Sequence, residues 1–295
     1  MRRPPLAAAL TAALLAGAGC GNSDVDVLAT RETRLAAALA DTGSAGRPVA
    51  RWILPPDLAE ISGLALTPDG RLFAHNDESS LITELDYRRG AVIKQFYVGK
   101  QNLVGDFEGL ACVGDRFFLL SSNGKLYEFA EGAAQERVDY TEHDTRLGKE
   151  CEFESVAYDS TANALILACK NVKSKRLESM LVFYRYDLDA TGEAGVSEFT
   201  IPFAEAIGGN DWKQLHPTDL TVDPFSGNYV LVAAPEKAFL SITPAGAVVF
   251  SRPLSGRHPQ SEGIAITRDG ILIISDESVN AAATITLYRW PRGAV

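Results

Sequence analysis

Three glutamates, Glu108, Glu154 and Glu262, and one aspartate, Asp219, recur at corresponding places in a repeated pattern, each at the start of a short apolar run. Carboxylates gathered this way repel and raise one another's pKa unless a cation sits among them. Hard oxygen donors suit Ca²⁺, which takes roughly 6–8 oxygen ligands. One reading therefore has Glu108, Glu154 and Glu262 ligating Ca²⁺ directly, with Asp219 as the next candidate. The other has each acid accepting hydrogen bonds from the backbone of a neighbouring repeat, tying repeats together without metal. His75, His216 and His258 fall close to the same positions, the last two each before a proline. A histidine there could serve as general base or orient a phosphate, or it could do no more than bond loop carbonyls. Asn76, Asp77 and Asp276 complete the polar face expected there. The chain has no Gly-x-Ser-x-Gly elbow, Gly-rich phosphate loop, helically spaced histidine pair or Cys-x-x-Cys. Serine-nucleophile and zinc chemistry therefore have no support.

The elements that must position these residues are short strands. Ser62-Gly63-Leu64-Ala65, Glu108-Gly109-Leu110-Ala111, Glu154-Ser155-Val156-Ala157, Thr218-Asp219-Leu220-Thr221 and Glu262-Gly263-Ile264-Ala265 each precede a turn and a second, more apolar run. The turns include Thr67-Pro68-Asp69-Gly70 and Thr267-Arg268-Asp269-Gly270, hairpin signals because glycine tolerates φ > 0. Successive anchors lie 46, 46, 64 and 44 residues apart. A period near 45 with about four strands per repeat is the mark of a β-propeller blade. The expected fold is all-β, a five-bladed β-propeller over residues 49–295, with six blades as the alternative. The long interval is read as one blade with insertions at Lys173–Arg176 and Ala206–His216. Val49–Leu54 is expected to supply the last blade's fourth strand and close the ring. In each antiparallel hairpin the start of the first strand lies beside the end of the second. The acids, His75, Asn76, Asp77 and Asp276 therefore share one end of the channel.

Composition sets the class. The 295 residues are 46% hydrophobic, mean hydropathy is −0.01, and 28 Lys and Arg face 38 Asp and Glu, a formal charge of −10. Such a chain can build a core, and its acidity argues against binding the phosphates of nucleic acid. Arg2, Arg3 and the apolar stretch Leu6–Gly19 have the form of an export signal and are too short to span a bilayer. Small residues before Cys20 resemble the lipobox of bacterial lipoproteins, although Gly17 stands where leucine is usual. Residues 1–20 are thus expected to be a lipoprotein-type signal with lipidation at Cys20, or an ordinary cleaved signal with an incidental cysteine. Residues 21–48 are expected to form a linker with one or two helical turns at Arg31–Ala40. Removal of the signal leaves 26 basic against 38 acidic residues. The expected location is the bacterial cell envelope, periplasmic or at the outer membrane, as a lipid-anchored monomer. Export permits disulfides. Pairing the third hairpin around its turn sets Phe153 opposite Cys169, which brings Cys151 within reach of a bridge if the strand bends.

The runs Glu60-Ile61-Ser62-Gly63-Leu64-Ala65, Leu72-Phe73-Ala74-His75-Asn76-Asp77-Glu78, Asp106-Phe107-Glu108-Gly109-Leu110-Ala111 and Ser261-Glu262-Gly263-Ile264-Ala265, with Ile274-Ser275-Asp276-Glu277, resemble the SdiA-regulated (YjiK-like) propeller family of exported bacterial proteins. The resemblance spans about residues 48–291. It implies five blades, a calcium site and no settled biochemical role, in the neighbourhood of esterase-like and phytase-like propellers. Two functions follow as expectations. One is a calcium-binding envelope scaffold whose channel mouth recognises a small ligand or an envelope protein. The other is a metal-dependent hydrolase of phosphate or carboxylic esters.

Overall fold

The computed structural model describes residues 23–41, 46–101, 103–190 and 195–291. The signal-type segment and Cys20 lie outside these residues. Five sheets, each built on four antiparallel strands, make a five-bladed propeller. The innermost strands are Ile61–Leu66, Phe107–Val113, Cys151–Asp159, Asp219–Val222 and Ser261–Ile266, and each lies beside the next around the ring. The fifth blade takes its outer strand from the other end of the chain. Ala50–Ile53 pairs antiparallel with Thr284–Arg289, Ala50 opposite Leu287, as the sequence reading expected. That closure removes an exposed sheet edge. Blade one gains a fifth strand, since Arg137–Val138, on the way through blade two, runs parallel to Ala91–Val98.

Burial follows position within a blade. The second strands Leu72–Asn76, Tyr229–Ala233 and Ile271–Asp276 are buried at every residue, because other blades cover both faces. The outer strand Val248–Pro253 mixes half-buried and exposed residues. Each first hairpin turns on a residue with positive φ, namely Gly70, Gly114, Asn163, Gly227 and Gly270. The interval after Glu154 holds one blade. Its outer strand Val196–Pro202 runs into a short helix, Phe203–Ala206, and Ile207 and Trp212 help cover the core between blades three and four.

The linker reading needs correction. Ser23–Ala40 is an 18-residue helix that packs on the propeller. Leu35 is buried and Leu39 packs with it against the core between blades five and one. Arg31 lies over the Trp52 ring at 5.2 Å and donates to the Arg89 carbonyl at 2.9 Å. Apolar burial beyond the helix's own sequence decided its length, since most helical stability in proteins comes from packing an amphipathic face. No described helix is long and apolar enough to cross a membrane.

Cys151 and Cys169 form a disulfide with Cα atoms 5.7 Å apart. Phe153 stands opposite Cys169, and the register shifts between Glu152 and Phe153, which is the bend that brings Cys151 over. Cys112 is free and buried. We expect the double variant Cys151→Ala/Cys169→Ala to lose about 2–4 kcal/mol, read as a lower denaturation midpoint under oxidising conditions. The ring also tolerates no added atom at Gly109, where a Cβ would stand 2.8 Å from the Val156 nitrogen of the next blade. Gly109→Ala should cost about 1–3 kcal/mol by the same measurement; unchanged stability would mean that the inner strands can part.

Candidate functional site

The pairing of first and second strands slips by one residue at the same place in four blades. The slip falls at Ser62–Gly63, Glu108, Glu154 and Glu262, the extra residue of a β-bulge in each case. A bulge leaves one residue unpaired and re-aims its side chain. Glu108 and Glu262 are thereby each brought within electrostatic reach of Glu154 at one channel mouth. Blade four has no such slip. Its register starts with Asp219 opposite Val232, and the preceding Thr218 donates to the Ser261 carbonyl of blade five at 2.6 Å.

Asp219 therefore does not join the glutamates. By register it matches Gly63, Gly109, Ser155 and Gly263, one step deeper along the channel. It is buried, and its carboxylate accepts from the Leu220 N–H at 2.8 Å, from the Ile264 N–H at 2.7 Å, and from the Leu64 N–H. Burial holds its carboxyl well above the ordinary range, against the pull of those three donors. For this acid the inter-blade tie is what the fold contains, linking blades four, five and one.

The mouth is crowded with carboxyls. Burial, and then the neighbouring Glu154, push Glu108 up to about 10. Burial and then Glu154 likewise push Glu262 up to about 8. Glu154 is raised by burial, with Lys170 pulling the other way through a direct ion pair. Burial alone would lower Lys170, but Glu154, Glu262 and Glu108 hold it above its usual value. Glu277 and Asp77 add charge nearby. Asp77 is lifted to about 6 by burial and then by Glu60.

These residues fit a Ca²⁺ cage poorly as arranged. Among the described residues, no three His, Cys, Asp or Glu side chains form a group that could hold a metal ion. Glu154 is engaged by Lys170, and Asp219 by backbone donors. The cation present in this mouth is a lysine.

The histidines do not project from the face. His75 is fully buried; its Nδ1 donates to the Asn76 carbonyl at 3.1 Å, its Nε2 has no partner, and burial lowers it to about 4. Its ring fills the space that a Cβ on Gly63 would need, 2.6 Å from Nε2. His216 bonds Glu236 through Nδ1 at 2.8 Å. His258 is buried between Asp276 at 2.7 Å and the Tyr288 hydroxyl at 2.6 Å, so Asp276 is a buried partner and not a surface ligand. Asn76 shapes its own turn, its Oδ1 accepting from the Glu78 and Ser79 N–H groups. Of the expected ligand face only Asp77 stays available at the mouth. Spacing in the sequence left the roles of Lys170, Glu236 and Tyr288 unread. The one signal for them was that Lys170 ends a second strand opposite a glutamate, on the same channel end.

No family model and no curated protein matches the chain. Solved structures do. The glutaminyl cyclase of Myxococcus xanthus is 15% identical, covering 82% of this chain and 95% of that one, with a TM-score of 0.55. A Thermus thermophilus oxidoreductase of the glucose dehydrogenase type is 12% identical, covering 81% and 99%, with a TM-score of 0.52. At these identities the likeness is one of fold, and the chain is a β-propeller.

Because the mouth carboxyls hold protons more tightly in the folded chain, their contribution to stability is complete below the unfolded value near 4.5. It is lost as pH rises through about 8 for Glu262 and about 10 for Glu108. We expect unfolding free energy to fall between pH 6 and 9 and Glu262→Gln to flatten that fall, measured by urea titration across the range. An unchanged slope in the variant would show that Glu262 is not held neutral.

Proposed function

We propose that this protein is a binding module of the bacterial cell envelope, exported, anchored through a lipid on Cys20, and of the SdiA-regulated propeller type. Its acidic channel mouth takes a small cation: an organic ammonium group suits the carboxyls as they stand, whereas Ca²⁺ would first have to displace Lys170 and the bound protons. The observation that carries this is the convergence of Glu108, Glu154 and Glu262, with Asp77 and Glu277 beside them, on a mouth where Lys170 is the cation acting on all three glutamates. Excess carboxyl charge in a half-buried site is relieved by binding positive charge. Occupancy should therefore release protons. A propeller fold by itself implies no chemistry, which favours recognition over turnover.

The test is calorimetric titration of the full-length protein with CaCl₂ and, separately, with putrescine, each at pH 6 and pH 8.5. One of the two should bind saturably, more tightly at the higher pH, with Glu262→Gln weakening it by roughly tenfold as expected for loss of one charged contact. Saturation by Ca²⁺ alone assigns a metal, and by putrescine alone an amine. No binding of either removes the proposal.

One arrangement favours a second reading, hydrolysis of phosphate or carboxylic esters. Glu108 held as a neutral acid beside the Glu154–Lys170 pair is the kind of divergence that separates a proton donor from a base. The neighbours that share the fold include proteins named as enzymes, a glutaminyl cyclase and an oxidoreductase. Turnover of p-nitrophenyl phosphate or acetate that disappears in Glu108→Gln would support it, and turnover unchanged in that variant would end it.

A further inference from the structure

The helix Ser23–Ala40 is fastened by polar contacts at two places, and both lie at the end of the propeller opposite the acidic mouth. At one, Arg31 donates to the Arg89 and Gly90 carbonyls at 2.9 and 3.4 Å, and Glu32 pairs with Arg89 at 2.7 Å. These partners sit in the turn after Leu81–Asp86, a strand that starts beside His75 at the mouth end and runs away from it. At the other, the Ala38 carbonyl accepts from Arg289 at 2.8 Å. Arg289 pairs with Ile271, the residue after the Gly270 turn of blade five, so it too stands at the far end. Arg88 and Asp269 join the two turns by a salt bridge. Contacts at the same end of neighbouring blades lay the helix across that end, crosswise to the channel. Leu35, buried in the core between blades five and one, makes the helix part of the propeller body.

The first turns of the helix expose apolar side chains, Val25 at 68% and Val27 at 50%. Cys20 stands three residues before Ser23, a span of at most about 11 Å when fully extended. The inner strands are longer than that. Ser261–Ile266 has six residues, about 20 Å at roughly 3.3 Å each. A group on Cys20 therefore cannot reach from the helix, past the depth of a blade, to the mouth.

We propose that this helix fixes how the protein stands on a membrane: the lipid on Cys20 holds the hairpin-turn end of the propeller against the bilayer and turns the acidic mouth toward the aqueous compartment. This rests on the lipidated Cys20 of the proposed function. Val25 and Val27 suit the boundary between headgroups and acyl chains, where apolar side chains of a surface helix bury. The arrangement also narrows the ligand of the mouth. The cation comes from solution, and the headgroups of the bilayer that carries the protein are out of its reach.

The experiment uses the protein as the cell processes it, purified from membranes and reconstituted on vesicles of phosphatidylethanolamine and phosphatidylglycerol. One fluorophore is placed at Asp115→Cys, exposed in the first hairpin turn of blade two, or at Glu78→Cys, exposed beside the mouth. A nitroxide on the lipid headgroup should quench the Asp115 label severalfold more than the Glu78 label. A Gly-Ser insert after Gly21, longer than the propeller is deep, leaves the folded part untouched and should equalise the two. Equal quenching without the insert, stronger quenching at Glu78, or a difference that survives the insert would each overturn the proposal. The mass of the N-terminal peptide separates this failure from that of the reading beneath it. Lipid on Cys20 with equal quenching ends the orientation alone, whereas Cys20 without lipid ends both.

Discussion

The fold depends on how closely five inner strands approach one axis. Gly63, Gly109 and Gly263 occupy positions where a Cβ would collide with a histidine ring, a neighbouring backbone nitrogen and a serine hydroxyl respectively. Asp219 occupies the matching position in blade four and uses its carboxylate to bind three backbone N–H groups, one in its own blade and one in each of the next two around the ring. A buried carboxylate with three donors is tolerable where an unpaired one is not. This tie, together with the pairing of Ala50–Ile53 with Thr284–Arg289, holds the ring shut.

The chemistry of the mouth is a consequence of that closeness. Strands packed this tightly bring bulged side chains together in a partly dry space, and desolvation is the largest influence on Glu108, Glu154 and Glu262 alike. The protein meets the resulting repulsion with protons and with Lys170. The histidines are absorbed by the scaffold. His75 packs on Gly63, His258 bridges Asp276 and Tyr288, and His216 holds Glu236.

The seams between blades differ in what fills them. The helix Ser23–Ala40 covers the seam of blades five and one, and the segment around Ala206–Trp212 covers that of blades three and four. Phe96 and Phe129 meet edge to face between blades one and two. Blades four and five share a core of Val230, Val232, Ile264 and Ile274 near the axis, and farther along the seam the cavity remains. Repetition makes the inner strands alike, while the outer connections, free of the axial constraint, diverge.

Much of this was legible in the sequence. The anchor spacing, the apolar second strands and the turn glycines determined the repeat, the blade count and the strand that closes the ring, because strand pattern and turn chemistry are local. The pairing of Phe153 with Cys169 followed from the hairpin turn in the same way. The offset of Asp219 was legible too, since the repeat sets Thr218 in line with Glu108, Glu154 and Glu262, but tertiary structure decided what that offset does. Asp219 is a single residue out of phase with Glu108, Glu154 and Glu262. In a pleated strand one residue of register, or one bulge, exchanges a place at the mouth for one in the core. The protonation of the glutamates, the engagement of Lys170 and the length of the first helix likewise depend on burial by chain segments distant in sequence, which no local pattern records.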